Sequence, residues 1–472
     1  MLHKSANIFA NPDKYNLQNL RIVGEQISME EIAATFSDLF GKDVIYNPLL
    51  PEELAALPFA AAPAMAQMCQ FLGDPRMLRH DLALTKELAY PRQPQKFQDW
   101  LLTHSDSPVF TRVGLDLDAP EIQSVVVFGA CSLEGISVIK GLLADQRKRY
   151  TIRATTRHVD SEKAQTLRTL APEDRLEIVY ADFDDIASCR AAAEGVDGAF
   201  LVTDFYQEAG QDMQAEERHA RNVIDACEAS HTVKHLVFST MESVEEMNQT
   251  LGLNLSPMQD AKGQRGTVVQ FDAKARAAAY ARTKKLSVTY VLMPCYSELF
   301  FERIEKRPGN DGEDRFVLTL PLKDDTKVMC MSVDELGPAV ANIFDSYQVY
   351  AGHEIGLVTD FVTIKEVRDI IQEVFSTTNN GTNDNCDGTS NNIILETEEL
   401  MLDEQETEHL QAGDTYMKDL GQMFAYMSHS DAVQMRHSIA KTLKLVPSAL
   451  PLREWVEKNV DNEAFREKLG LR

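Results

Sequence analysis

Residues 122–472 predict an α/β fold: a doubly wound parallel sheet with a smaller α+β subdomain toward the C-terminus. Two observations predict it. Short β-rich runs alternate with helical patterns of about ten to twenty residues, the order that covers both faces of a parallel sheet. The first strand-to-helix turn also carries a glycine at each end, where such a sheet holds phosphates beyond the carboxyl ends of its strands.

The elements follow in order. The apolar run SVVVFG is a strand ending on Gly129, and EGISVIKGLLADQ is the helix after it. YTIRATTR is the second strand, with a helix through SEKAQTLRTL; LEIVYAD and the helix DIASCRAAAEG come next. GAFLVT leads to a long helix over 208–229, then KHLVFST, the helix DAKARAAAYARTK and the strand SVTYVLMP complete the alternation.

An internal repeat sets the domain map. ANIF occurs at 6–9 and again at 341–344, and YNLQNLRIVGEQISMEEI from Tyr15 lies over YAGHEIGLVTDFVTIKEV from Tyr350. That alignment pairs Ile22 with Leu357, Val23 with Val358, and the Ser28/Glu31 capping box with Thr363/Glu366. AMAQMCQFL (64–72) matches DLGQMFAYM (419–427), and Trp100 becomes equivalent to Trp455. The chain thus divides into a partial copy at 1–112 that lacks a nucleotide-binding half, a linker at 113–121 and a complete unit at 122–472. Residues 376–392, rich in Asn, Thr and Gly, predict a disordered loop tip. The partial copy exposes apolar positions such as Ile22, Val23, Met65, Met68 and Phe71, which need a surface to cover, on the second unit or in a homodimer. Alternatively, the native chain begins upstream with a further nucleotide-binding half.

A formal net charge of −26 argues against direct contact with nucleic acid, so a gene-regulatory role would act through a protein partner. No stretch has the ~18 consecutive apolar residues of a membrane span, which predicts a cytoplasmic or nuclear protein without membrane contact. The 7 cysteines are scattered, with neither C-x-x-C nor zinc spacing, so reduced thiols and no metal are expected.

In a Rossmann-type sheet, Gly129 permits the tight turn and Gly135 the close helix-to-strand packing, while the helix N-terminus offers unpaired N–H groups to a pyrophosphate. Ser132 stands where backbone and phosphate come closest. It is accommodated if its dihedrals are ordinary and strained if φ must be positive. At the end of the second strand, TTRH places Arg157 where an acidic residue would bind the ribose of NAD; an arginine suits a 2′-phosphate and predicts NADP(H).

The residues VVVFGACSLEG, TTRH, ADFDD, FLVTDF, FDAKARAAAYA, SVTYVLMPCYSELFF, LTLPL, MSVDELGPAVA, IGLV and DLGQMFAYM resemble, in this order, the NmrA-like proteins, atypical members of the short-chain dehydrogenase/reductase superfamily. The likeness extends to their NADPH-sensing members. It implies that Gly129, Ala130, Cys131, Ser132, Leu133, Glu134 and Gly135, with Arg157, hold the cofactor phosphates. It further implies that Thr203, Asp204 and Phe205 line the cleft and that Arg218 is a basic cofactor contact. Lys274 would stand near the nicotinamide ribose, and Tyr296, Ser297 and Glu298 would form the nicotinamide side. The chain departs from the family's pattern at Ser132, at Glu134 where glutamine is usual, and at Ser161 where sensor-like members carry a second basic residue.

Typical reductases of that superfamily use Tyr-x-x-x-Lys, in which the lysine lowers the tyrosine pKa. Four residues before Lys274 stands Gln270, while Tyr280 and Lys284 have the spacing ten residues further on. The resulting expectation is an NADP(H)-binding redox sensor acting through protein contacts. The alternatives are an NADPH-dependent reductase of quinones or small carbonyl compounds and a scaffold that binds no cofactor.

Overall fold

The computed structural model describes residues 121–308, 314–379, 394–399, 415–427, 429 and 436–471, together with 31, 34 and 35. The chain forms two compact units, Met1–Ala119 with Gln348–Tyr350, and Pro120–Tyr347 with Ala351–Arg472. Apart from residues 31, 34 and 35, the repeat expected over 1–112 lies outside the described residues, as does 380–392 of the expected loop tip.

In the second unit, the strands β1 (Ser124–Phe128), β2 (Thr151–Thr156), β3 (Leu176–Tyr180), β4 (Gly198–Leu201) and β5 (His235–Thr240) alternate with the helices α1 (Leu133–Ala144), α2 (Glu162–Arg168), α3 (Ile186–Ala193) and α4 (Met213–Ser230). After α5 (Val244–Leu251) and a short hairpin of β6 (Met258–Gln259) and β7 (Arg265–Gly266), α6 (Val269–Ala281) leads into β8 (Val288–Leu292). The smaller subdomain begins with β9 (Cys295–Tyr296), α7 (Ser297–Glu302), β10 (Ile304–Pro308), β11 (Asp314–Leu320) and β12 (Lys327–Met331). The chain returns to the main sheet with α8 (Leu336–Asp345) and β13 (Glu354–Gly356), then continues through β14 (Asp360–Thr363), α9 (Ile364–Asn379), β15 (Leu395–Glu399) and α10 (Thr415–Met427).

The main sheet has 7 strands in the order β13-β8-β5-β4-β1-β2-β3, all parallel. The chain reverses its direction of winding between β1 and β4, so the ends of these two strands open the crevice where ligands of such sheets bind. Both faces are dry, as the near-continuous apolar strands require. Val126, Phe128, Leu201, Phe238 and Tyr290 pack under Ala192 of α3, Val223 of α4 and Ala277 of α6. On α8, which packs beside α1, Phe344 lies edge-on to His235 of β5.

Two expected boundaries shift for local reasons. The long helix begins at Met213, not 208, because the Asp212 side chain caps it by accepting from Gln214 N and Ala215 N. Residues 203–211 form a loop instead, with Gly210 and Gln211 at positive φ. At the other end, α9 extends to Asn379, so Ser376–Asn379 of the expected loop tip are helical. Its start is the Thr363/Glu366 capping box: Thr363 N donates to Glu366 Oε2 (2.7 Å) and Glu366 N donates to Thr363 Oγ1 (3.2 Å). Trp455 sits in the subdomain core beside Phe301, Phe375 and Phe465.

Candidate functional site

The turn after β1 is built by Ser132. Its backbone has φ −81° and ψ 165°, ordinary extended values, so the side chain adds no strain. Its hydroxyl accepts from Gly135 N (3.0 Å) and donates to Gly129 O (2.8 Å), which makes Ser132 the N-cap of α1. The glycines on either side are needed. Gly129 has φ +84°, and a Cβ there would stand 2.5 Å from Val202 O; at Gly135 it would stand 2.2 Å from Gly129 O. Ala130 is buried, Cys131 half-buried and Leu133 exposed. The first-turn N–H groups of Leu133 and Glu134 precede any intrahelical acceptor and carry the positive end of the helix dipole. This cradle fits a pyrophosphate.

Glu134 does not confront that cradle with a loose carboxylate. It is buried, and Oε1 accepts from the Tyr296 hydroxyl (2.6 Å), tying the first turn of α1 to β9. Burial and then the Glu134 carboxylate push the Tyr296 phenol well above its usual pKa, so it holds its proton. Ser297 is buried, and Glu298 accepts from Ser332 Oγ (2.6 Å) and Val333 N, pinning the turn before α8. Ser161 caps α2 by accepting from Ala164 N.

The remaining expected contacts are engaged within the protein. Arg157 Nη2 lies 3.1 Å from Glu208 Oε1. Arg218 pairs with Asp184, from the segment after β3. Asp204 Oδ1 accepts from Tyr206 N and Gln207 N, closing an Asx turn, and Phe205 is buried in a cluster with Met213, Val269 and Ala273. Thr203 is buried. Lys274 Nζ donates to Thr203 O (2.6 Å), Thr203 Oγ1 (2.9 Å) and Glu216 Oε1 (2.5 Å). An ammonium has three N–H donors, so a cofactor contact for Lys274 requires exchanging one of these.

Tyr280 and Lys284 stand elsewhere. The Tyr280 hydroxyl donates to Asp225 (2.8 Å) and Lys284 pairs with the same carboxylate (2.6 Å). Tyr280 lies in the last turn of α6 and Lys284 between α6 and β8, at the N-terminal end of the strands, opposite the crevice.

A family model described as the NmrA-like family matches residues 121–383, more than half of the chain. The chain belongs to the NmrA-like family. Its sequence is 23% identical over 253 residues to an NmrA-like family domain-containing protein of Dictyostelium discoideum, covering 53% of this chain and 77% of that protein. It is 29% identical over 241 residues to the NmrA-like family domain-containing oxidoreductase malD of Malbranchea aurantiaca, covering 48% of this chain and 66% of that protein. The fold is similar to that of Nmra, a negative transcriptional regulator, with a TM-score of 0.54 and 17% identity over 75% of this chain and 99% of that one. Nmra structures are described in complex with NAD and with NADP.

Three polar groups of this NmrA-like chain escaped the sequence reading. Glu216 is fully buried, and its position on the apolar stripe Met213, Ala220, Val223, Cys227 of α4 was the available signal. Asp419 of α10 is also fully buried; Oδ1 accepts from Val269 N (3.0 Å) at the start of α6, and Oδ2 accepts from the Tyr206 hydroxyl (2.9 Å). Burial raises its pKa to about 6. Glu208 carried no local signal.

Proposed function

We propose that this protein binds NADP(H) across the N-terminus of α1 and acts as a redox sensor that passes cofactor occupancy to a regulatory protein partner. The observation that carries this reading is the Gly129–Gly135 turn, whose capped, unstrained Ser132 leaves the helix amides facing the β1/β4 crevice. Arg157 at the end of β2 supplies the cation for a 2′-phosphate. The complexes described for Nmra support the same ligand class. A bound nicotinamide supplies hydride chemistry; the protein's residues hold and orient it. The sensor reading rests on the proton donors: Gln270 takes the place of the tyrosine, Tyr280 is bonded to Asp225 away from the crevice, and Tyr296 retains its proton.

The second reading, an NADPH-dependent reductase of quinones or small carbonyl compounds, is favoured by relatives named as oxidoreductases. Incubation with NADPH and a panel of quinones, followed by nicotinamide absorbance, separates the two. The sensor reading predicts binding without turnover; steady oxidation that depends on the protein supports the reductase. The partial copy at 1–112, the homodimer and the cytoplasmic or nuclear location belong to the same proposal. Sedimentation of the full chain, expected to show a dimer, tests the second of these.

A further inference from the structure

Glu208 lies on the loop between β4 and α4, which is held in shape from both sides. Ala209 N donates to Asp204 O, Gln211 N donates to Phe205 O, and the Tyr206 hydroxyl reaches Asp419. Held in this way, Glu208 meets Arg157, which follows β2. In the sheet, β1 lies between β2 and β4, so the Glu208–Arg157 bridge spans the end of β1 and the turn that begins at Gly129. The guanidinium is under-used in this pairing. Glu208 takes one nitrogen at 3.1 Å, while Arg157 Nε is buried with no hydrogen-bond partner among the described residues. A phosphate offers three acceptor oxygens and pairs with an arginine fork through two parallel bonds, which one carboxylate oxygen does not.

Resting on the NADP(H) reading above, we propose that Glu208 occupies the 2′-phosphate subsite, so that NADP(H) has to displace this carboxylate from Arg157 while NAD(H) does not. Glu208 is then a specificity-determining residue: it lowers the protein's preference for the phosphorylated cofactor and sets the concentration at which that cofactor registers. Release of Glu208 also removes one of the ties on the 203–211 loop, which through Tyr206 contacts α10.

The test is calorimetric titration with NADPH and, separately, NADH, of the full chain, Glu208→Gln, Arg157→Ala and the double variant. The pair is about one-third exposed on each side, so it is worth no more than a surface ion pair. Glu208→Gln is expected to tighten NADPH by about two- to fivefold. NADH affinity stays unchanged, and the gain disappears when Arg157 is also replaced. Equal NADPH affinity in wild type and Glu208→Gln, or an equal gain for NADH, overturns the role of Glu208 while leaving the cofactor reading intact. Failure of both cofactors to bind wild type and variant alike overturns the cofactor reading and this inference with it.

Discussion

The Lys274–Glu216 pair predicts a large and asymmetric energetic signature. Glu216 has no exposed side-chain surface and Lys274 retains 14%. Glu216 Oε1 accepts from both Lys274 and Thr203 Oγ1, and Oε2 is buried without a hydrogen-bond partner among the described residues. Removing one partner of such a pair strands the other charge, which costs about 3–5 kcal/mol. The two directions differ. In Lys274→Met the carboxylate stays sealed in the core, and the cost falls at the upper end, about 4–5 kcal/mol. In Glu216→Leu the ammonium keeps its two Thr203 acceptors and extends toward water along its flexible stem, so about 3 kcal/mol is expected. The double variant replaces the pair with apolar side chains and should cost at least ~2 kcal/mol less than the sum of the single changes, because neither charge is left behind. Urea unfolding followed by circular dichroism measures all three. Single costs below ~1 kcal/mol that add without coupling would refute the reasoning, because exposed, independent side chains behave that way.

Two further outcomes follow from the structure. Ser132→Ala removes the hydroxyl that accepts from Gly135 N, and thermal unfolding should report a loss of about 1 kcal/mol; an unchanged midpoint would contradict the capping role. Asp419 titrates at about 6 in the folded protein against 3.8 for the free side chain, raised first by burial and also by Asp272. The folded state therefore binds this proton more tightly than the unfolded chain. That stabilisation is complete below pH 4 and is lost as pH rises through about 6. Two units correspond to about 3 kcal/mol, so the wild type should gain roughly that much on Asp419→Asn between pH 7 and pH 4 in urea unfolding; parallel profiles would contradict the assignment.

The parts of the fold legible in the sequence are those with local causes. A β-branched run such as Val125–Val127 forms a buried strand wherever it pairs, and the Gly129/Gly135 spacing describes a turn whose sterics involve only neighbouring atoms and Val202. The Thr363/Glu366 capping box is equally local. The state of the site residues was not legible, because it depends on partners far along the chain. Lys274 is 58 residues from Glu216, and Val269 is 150 residues from Asp419. Position after the second strand marked Arg157, and the family resemblance marked Lys274 and Arg218, as cations for a cofactor; the fold gives each of them a carboxylate. Ser132 shows the reverse case. The sequence left its dihedrals open, and its hydroxyl proved to be the cap that shapes the turn.

The central claim is that the amides opening α1, together with Arg157, hold NADP(H). Calorimetric titration of the wild type and Arg157→Ala with NADPH and NADH tests it most directly. The account predicts one site per chain that prefers NADPH, with the preference lost in Arg157→Ala and NADH affinity little changed. An absence of heat with either cofactor, or an NADPH affinity indifferent to Arg157, would contradict it.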